Sequence, residues 1–142
     1  MIVYRVCSAS HTALSGTGSH KFGGRWNSPG IAVNYTAGTA ALAILETRVH
    51  LRRPPIDYVL LTIKIGDKFV NAALTTKIGE ADLAATRAIG DTFFISSPKV
   101  PLRDPSVVAP HEYNFLFSAA YASKRAQIIA TEPIDFDYRL WQ

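Results

Sequence analysis

The chain has 142 residues, 48% of them hydrophobic and 18% charged, a net charge of +4 and a single cysteine, Cys7. That is one domain's worth of chain, long enough for a real core and too apolar to be disordered. One cysteine excludes an internal disulfide and a multi-cysteine metal site, and the basic residues cluster only at Arg48, Arg52 and Arg53, a weak signal for nucleic acid.

Ile2 to Val6 reads as a first strand, with Tyr4 and Val6 on one face and Val3 and Arg5 on the other. Gly16, Gly18, Gly23, Gly24 and Gly30 then fall within fifteen residues, a density that marks a loop or a backbone approached closely. Ile31 to Tyr35 is a short strand, Thr36 to Gly38 a turn, and Thr39 an N-cap for a helix from Ala40 to about Arg52, ended by Pro54-Pro55. Tyr58 to Ile65 has the apolar run of a central strand, and Phe69 to Asn71 extends it. A helix is expected from Glu80 to Ile89, stopped by Gly90. Thr92 to Ile95 and Lys99 to Leu102 fit either state, and Val107-Val108 is extended between prolines. Tyr113 to Phe117 is a strand or a helix start running into Ala119 to Lys124. Ala126 to Ala130 and Ile134 to Leu140 are two more strands, the last alternating with Ile134, Phe136, Tyr138 and Leu140 inward. Strands outnumber helices and do not alternate with them. The expected class is α+β, a single domain over residues 1–142, with a mixed, largely antiparallel sheet and flanking helices. No apolar run approaches the roughly 18 residues that span a bilayer, and Met1 to Ser10 has no signal-peptide core. A soluble, cytoplasmic protein is the expectation.

Glu46 falls between Leu42 and His50 and close to Val49 on a largely apolar helical stripe. A carboxylate there is costly unless it is paired, hydrogen-bonded or functional. It could lie at the edge of the stripe, or pair with Arg53 or His50. In Gly23-Gly24-Arg25-Trp26-Asn27-Ser28-Pro29-Gly30, an arginine between two glycines and an aromatic is suited to bidentate contact with phosphate or carboxylate. The same stretch is also consistent with a hairpin turn and a packed Trp26. It matches neither the P-loop nor the dinucleotide-binding fingerprint. Tyr35 lies at a strand end just before the Glu46 helix, where one wall of a cleft commonly forms. It could equally be a half-buried aromatic. Ser106, in Asp104-Pro105-Ser106, lacks the Gly-x-Ser-x-Gly context of a serine nucleophile but can hydrogen-bond within a site. His11, His20, His50 and His111 have no metal-binding spacing, so no metal is expected.

Together these stretches resemble the RES family, named for an arginine, a glutamate and a serine. The matching elements are Tyr4-Arg5, Gly23-Gly24-Arg25-Trp26-Asn27 with Gly30, Val33-Asn34-Tyr35-Thr36, Ala43-Ile44-Leu45-Glu46 with Val49-His50-Leu51, and Pro105-Ser106-Val107-Val108 followed by Glu112 and Asn114. They cover most of the chain in the expected order. The chain departs from the family after Asn114, where Phe115 to Tyr121 contains neither the proline nor the histidine usual there. The resemblance implies a fold related to ADP-ribosyltransferases. It also implies the toxin of a bacterial type II toxin–antitoxin system that consumes NAD as substrate, needs no cofactor, and is partnered by an Xre-type helix-turn-helix antitoxin. Membrane attachment is not implied, nor is direct contact with nucleic acid except through the antitoxin. The family's arginine, tyrosine, glutamate and serine map onto Arg25, Tyr35, Glu46 and Ser106 as catalytic residues. Arg5, Arg25, Trp26, Tyr35 and Asn114 are the expected NAD contacts.

Breaking the nicotinamide–ribose bond releases a neutral leaving group from an oxocarbenium-like ribose, so a site must supply positioning and electrostatics. Ionised Glu46 would hold a ribose hydroxyl and stabilise the growing positive charge. Arg25 and Arg5 would bind the diphosphate, Tyr35 would stack on nicotinamide or donate its hydroxyl, and Ser106 would bond the amide or a hydroxyl. Water as acceptor makes a glycohydrolase, phosphate a phosphorylase, and a host protein an ADP-ribosyltransferase. Two non-catalytic readings stand beside these: an RES-like domain that has lost activity and binds partners, and a basic module whose affinity falls steeply with salt.

Overall fold

A computed structural model describes residues 1–72 and 82–142. In chain order the elements are β1 (Ile2–Ser8), α1 (Thr17–Phe22), β2 (Val33–Ala37), α2 (Ala40–His50), β3 (Tyr58–Lys64), β4 (Val70–Asn71), α3 (Leu83–Ile95), β5 (Leu102–Pro105), β6 (Tyr113–Ser118), α4 (Ala119–Arg125) and β7 (Gln127–Pro133), then a 3₁₀ turn over Tyr138–Trp141. The strands form one sheet in the order β4-β5-β6-β2-β1-β3-β7. Among the described residues only β4 and β5 run parallel; the other neighbours are antiparallel. This is the expected α+β class with a mixed sheet and flanking helices.

Cross-strand partners share a face. Val3, Leu61, Ile63, Phe115 and Phe117 pack on one side with Tyr121 and Ala122 of α4. The segment that departs from the family after Asn114 therefore builds core: it finishes β6 and starts α4, whose first turn Ser118 caps by accepting from the Tyr121 amide at 3.0 Å. Val33, Leu102 and Leu116 pack on the other side with Trp26 and Phe94, and Ala37 packs there with Leu42 and Ala43 of α2.

The sheet is nearly cut in two. β1 pairs with β3 along its whole length but meets β2 only at Tyr4–Ala37. Beyond Tyr4 the two strands diverge, and the β1 edge facing β2 has no strand partner among the described residues.

Several expected boundaries move. β2 lies two residues later than Ile31 to Tyr35 and absorbs Thr36 and Ala37, because the β6 ladder extends to Ala37–Asn114. Thr39 caps α2 as expected, accepting from the Leu42 amide at 3.1 Å. α2 stops at His50 rather than Arg52, where the His50 ring bonds the Glu46 carbonyl at 2.7 Å. The glycine-rich loop contains the short helix α1. The expected helix start at Glu80 lies outside the described residues. Gly90 does not stop α3, which continues to Ile95 and absorbs Thr92 to Ile95. Val107-Val108 bends rather than extends, because Ser106 Oγ accepts from both Val108 and Ala109 amides.

Ile134 to Leu140 is not a strand. Asp137 caps the 3₁₀ turn by accepting from the Arg139 amide. The Trp141 indole donates to the Leu51 carbonyl at 3.0 Å, and Arg48 of α2 lies over the Trp141 ring. Tyr138, expected inward, is 69% exposed. The end of α2 thus offers this segment partners that a further ladder would forgo.

Candidate active site

The divergence of β1 and β2 opens a cleft of about 710 Å³, lined among others by Arg5, Arg25, Trp26, Tyr35, Glu46 and Asn114. Six of the seven residues singled out from the sequence meet at this one feature, and the seventh, Ser106, touches it through Glu46.

Glu46 is half-buried on α2. Its Oε1 accepts from Asn114 Nδ2 at 2.8 Å and from Ser106 Oγ at 3.2 Å. Its partners are therefore polar side chains from β6 and from the turn after β5, not Arg53 or the His50 ring. Charge-assisted bonds of this kind fix a carboxylate without neutralising it. Ser106 is saturated: its hydroxyl proton goes to Glu46 and its lone pairs accept from the Val108 and Ala109 amides at 3.2 and 3.0 Å.

Gly24 to Asn27 is a tight turn closed by a bond from the Gly24 amide to the Asn27 carbonyl at 2.9 Å. Gly24 is required there, since a Cβ would lie 2.4 Å from the Tyr35 hydroxyl. That hydroxyl donates to Asn27 Oδ1 at 2.6 Å and accepts from the Trp26 amide at 3.1 Å. Burial pushes the Tyr35 phenol well above its ordinary range. With the hydroxyl engaged on both sides, what Tyr35 offers the cleft is its ring. Asn27 is fully buried, and its Nδ2 donates to the carbonyls of Ser19, Ser28 and Ile31. Trp26 is also fully buried; its indole donates to Asp104 Oδ2 at 2.9 Å, and the Arg25 guanidinium carbon lies 5.9 Å from the ring centre. Among the described residues Arg25 has no carboxylate salt-bridge partner. Arg5 Nη1 donates to the Ala13 carbonyl at 3.3 Å.

Asp104 lies opposite Asn114 in the β5–β6 ladder and is buried at the cleft. Burial pushes its carboxyl up to about 6, with the Glu46 charge adding to the rise, while the Trp26 bond and the Arg25 charge pull it down.

α3 clamps the Arg25 turn. Thr86 Oγ1 donates to the Arg25 carbonyl at 2.5 Å, Arg87 Nε to the Gly24 carbonyl at 2.8 Å, and Asp91 accepts from both the amide and the hydroxyl of Ser28. The sequence reading missed Thr86, Arg87 and Asp91 altogether. Asn27 and Asp104 lie inside the Gly23–Gly30 and Asp104-Pro105-Ser106 stretches, where nothing local assigns them a role. Thr86, Arg87 and Asp91 on a helix whose other residues, Thr92 apart, are apolar or glycine are the available signal.

A model of the RES domain matches residues 2–139. The chain belongs to the RES-domain family. A Pseudomonas putida protein named "Toxin Res" is 32% identical, the match covering 99% of this chain and all of the relative. A Yersinia enterocolitica "Toxin Res" is 29% identical over 97% of both. A Sphingobium "Prs ADP-ribosylating toxin" is 36% identical over 76% of this chain and 73% of its own. Among solved structures, a chain of the Mycobacterium tuberculosis MbcT–MbcA toxin–antitoxin complex has the same fold, with a TM-score of 0.74 at 22% identity over 99% of this chain and 86% of that one.

Proposed function

We propose that this RES-domain chain is the toxin of a toxin–antitoxin pair and that it cleaves the nicotinamide–ribose bond of NAD. The observation that carries the reading is Glu46, held at the cleft through one carboxylate oxygen by Asn114 and Ser106. The second oxygen has no hydrogen-bond partner among the described residues and is free to meet a ribose hydroxyl. As positive charge grows on the ribose, the fixed carboxylate stabilises it in a partly desolvated site, without having to reorganise. Arg25 and Arg5 bring positive charge to a cleft that must seat a diphosphate. The Tyr35 ring supplies a flat apolar surface for nicotinamide. Ser106 acts through Glu46, as a positioning residue. Trp26 forms the wall behind the cleft, and Asn114 joins that wall to Glu46.

The bond broken is the ribose C1′–nicotinamide nitrogen bond, whose electron pair leaves with the neutral pyridine; the acceptor adds at C1′. Water gives ADP-ribose and phosphate gives its 1-phosphate. A protein acceptor is the second reading, supported by the relative named as an ADP-ribosylating toxin. Incubating the purified chain with labelled NAD, alone, with phosphate or with a lysate, and resolving the products by mass tests all three. Free nicotinamide is expected wherever the acceptor is supplied. ADP-ribose or its 1-phosphate names a small acceptor; label that enters protein from a lysate names the transferase. Intact NAD under all conditions overturns the reading.

The partner is proposed as an Xre-type helix-turn-helix antitoxin that fills the cleft, an acidic segment pairing with Arg25 or Arg5. The structural neighbour's presence in a toxin–antitoxin complex supports a partner of this kind. No helix among the described residues is long and apolar enough to cross a membrane.

A further inference from the structure

Asp104 is a second carboxylate at the cleft, and the chemistry above does not use it. It is 4% exposed. One oxygen, Oδ2, accepts from the Trp26 indole at 2.9 Å; the other, Oδ1, is buried with no donor among the described residues. Burying a carboxylate oxygen unmet is costly, and such atoms in a folded chain call for a reason. Three observations supply one. Asp104 borders the cleft itself. It lies directly across the β5–β6 ladder from Asn114, the residue that holds Glu46. It also lies near enough to Arg25 and Glu46 to feel both charges. A structural acceptor for the Trp26 indole needs one oxygen, and a serine or an asparagine would provide it.

We infer that Asp104 is a ligand-binding residue, whose Oδ1 accepts a hydrogen bond from a neutral donor of the bound substrate, a sugar hydroxyl or an amide N–H. The inference rests on the NAD reading for the identity of that substrate. It divides the work between the two carboxylates. Glu46, fixed by two protein donors, faces the reacting carbon. Asp104, fixed by one, takes a donor from the substrate and ties it to the wall that carries Trp26 and Arg25.

Asp104→Asn separates this from a structural role. Its side-chain oxygen can still accept from Trp26, but an NH₂ then stands where an acceptor is needed. Binding of the non-hydrolysable carbocyclic analogue of NAD should weaken about 10- to 100-fold, the loss typical of a bond to a charged group, with the melting temperature unchanged or raised. In the wild-type protein the Trp26 indole N–H resonance should shift on adding the analogue, since the carboxylate it donates to gains a second donor. Trp141, the other tryptophan, is the internal control. This second readout needs no variant to fold. Unchanged affinity in Asp104→Asn, or a Trp26 indole that does not respond to saturating analogue, overturns the inference. Failure of the wild-type chain to bind the analogue at all overturns the NAD reading instead.

Discussion

At the residue scale, a carboxylate on an apolar helix face is destabilising until donors meet it. Glu46 meets two, from residues 60 and 68 positions further along the chain. Its oddness was visible in the helical pattern, and its partners were not, because no local periodicity links α2 to β6. Arg53 and His50 were the partners that local spacing offers, and long-range strand pairing supplied others. The same holds for Asn27. Its place after Arg25-Trp26 was plain, but its three carbonyl partners and the Tyr35 hydroxyl depend on how the loop closes. Asp104 has a consequence that can be measured. Its carboxyl sits at about 6 in the fold against an ordinary 3.8, so the folded state holds the proton more tightly than the unfolded one. Its contribution to stability is fully present below about pH 4 and is lost as pH rises through 6. Denaturant titrations across that range should show wild type losing up to about 3 kcal/mol relative to Asp104→Asn, levelling off above it. Parallel curves for the two proteins contradict this account of Asp104.

At the scale of elements, α3 determines where Arg25 stands. Thr86, Arg87 and Asp91 hold the turn by its backbone, and Gly90 lets the helix lie against it. A Cβ at Gly90 would come within 1.7 Å of the Trp26 carbonyl oxygen. Glycine inside a helix ordinarily costs about 1 kcal/mol relative to alanine, so Gly90→Ala should stabilise if the helix alone mattered. Here it should destabilise by about 2 kcal/mol or more, as overpacking does, and lower activity by displacing Arg25. A rise in melting temperature for Gly90→Ala contradicts the clamp. This is also why the expected helix end at Gly90 was misplaced: a close tertiary approach and a C-cap both ask for glycine, and sequence does not distinguish them. The alternation over Ile134 to Leu140 does not become a strand, for a related reason. The pattern is real, but the end of α2 captured Trp141.

At the scale of the molecule, the mixed sheet with flanking helices was legible from the order and count of apolar runs. Its near-division at Tyr4–Ala37 was not, because pairing between strands leaves no trace in either strand's own pattern. That division makes the cleft, and the cleft gathers residues scattered from Arg5 to Asn114. The proposed chemistry makes turnover depend on Glu46. The direct measurement is the rate of NAD consumption by Glu46→Gln against wild type, with melting temperature read on the same samples. Glutamine keeps an oxygen that accepts from Asn114 and Ser106, so the fold should hold while kcat falls about 10²–10³-fold, the usual loss for one transition-state contact. A folded Glu46→Gln that consumes NAD at the wild-type rate contradicts the account.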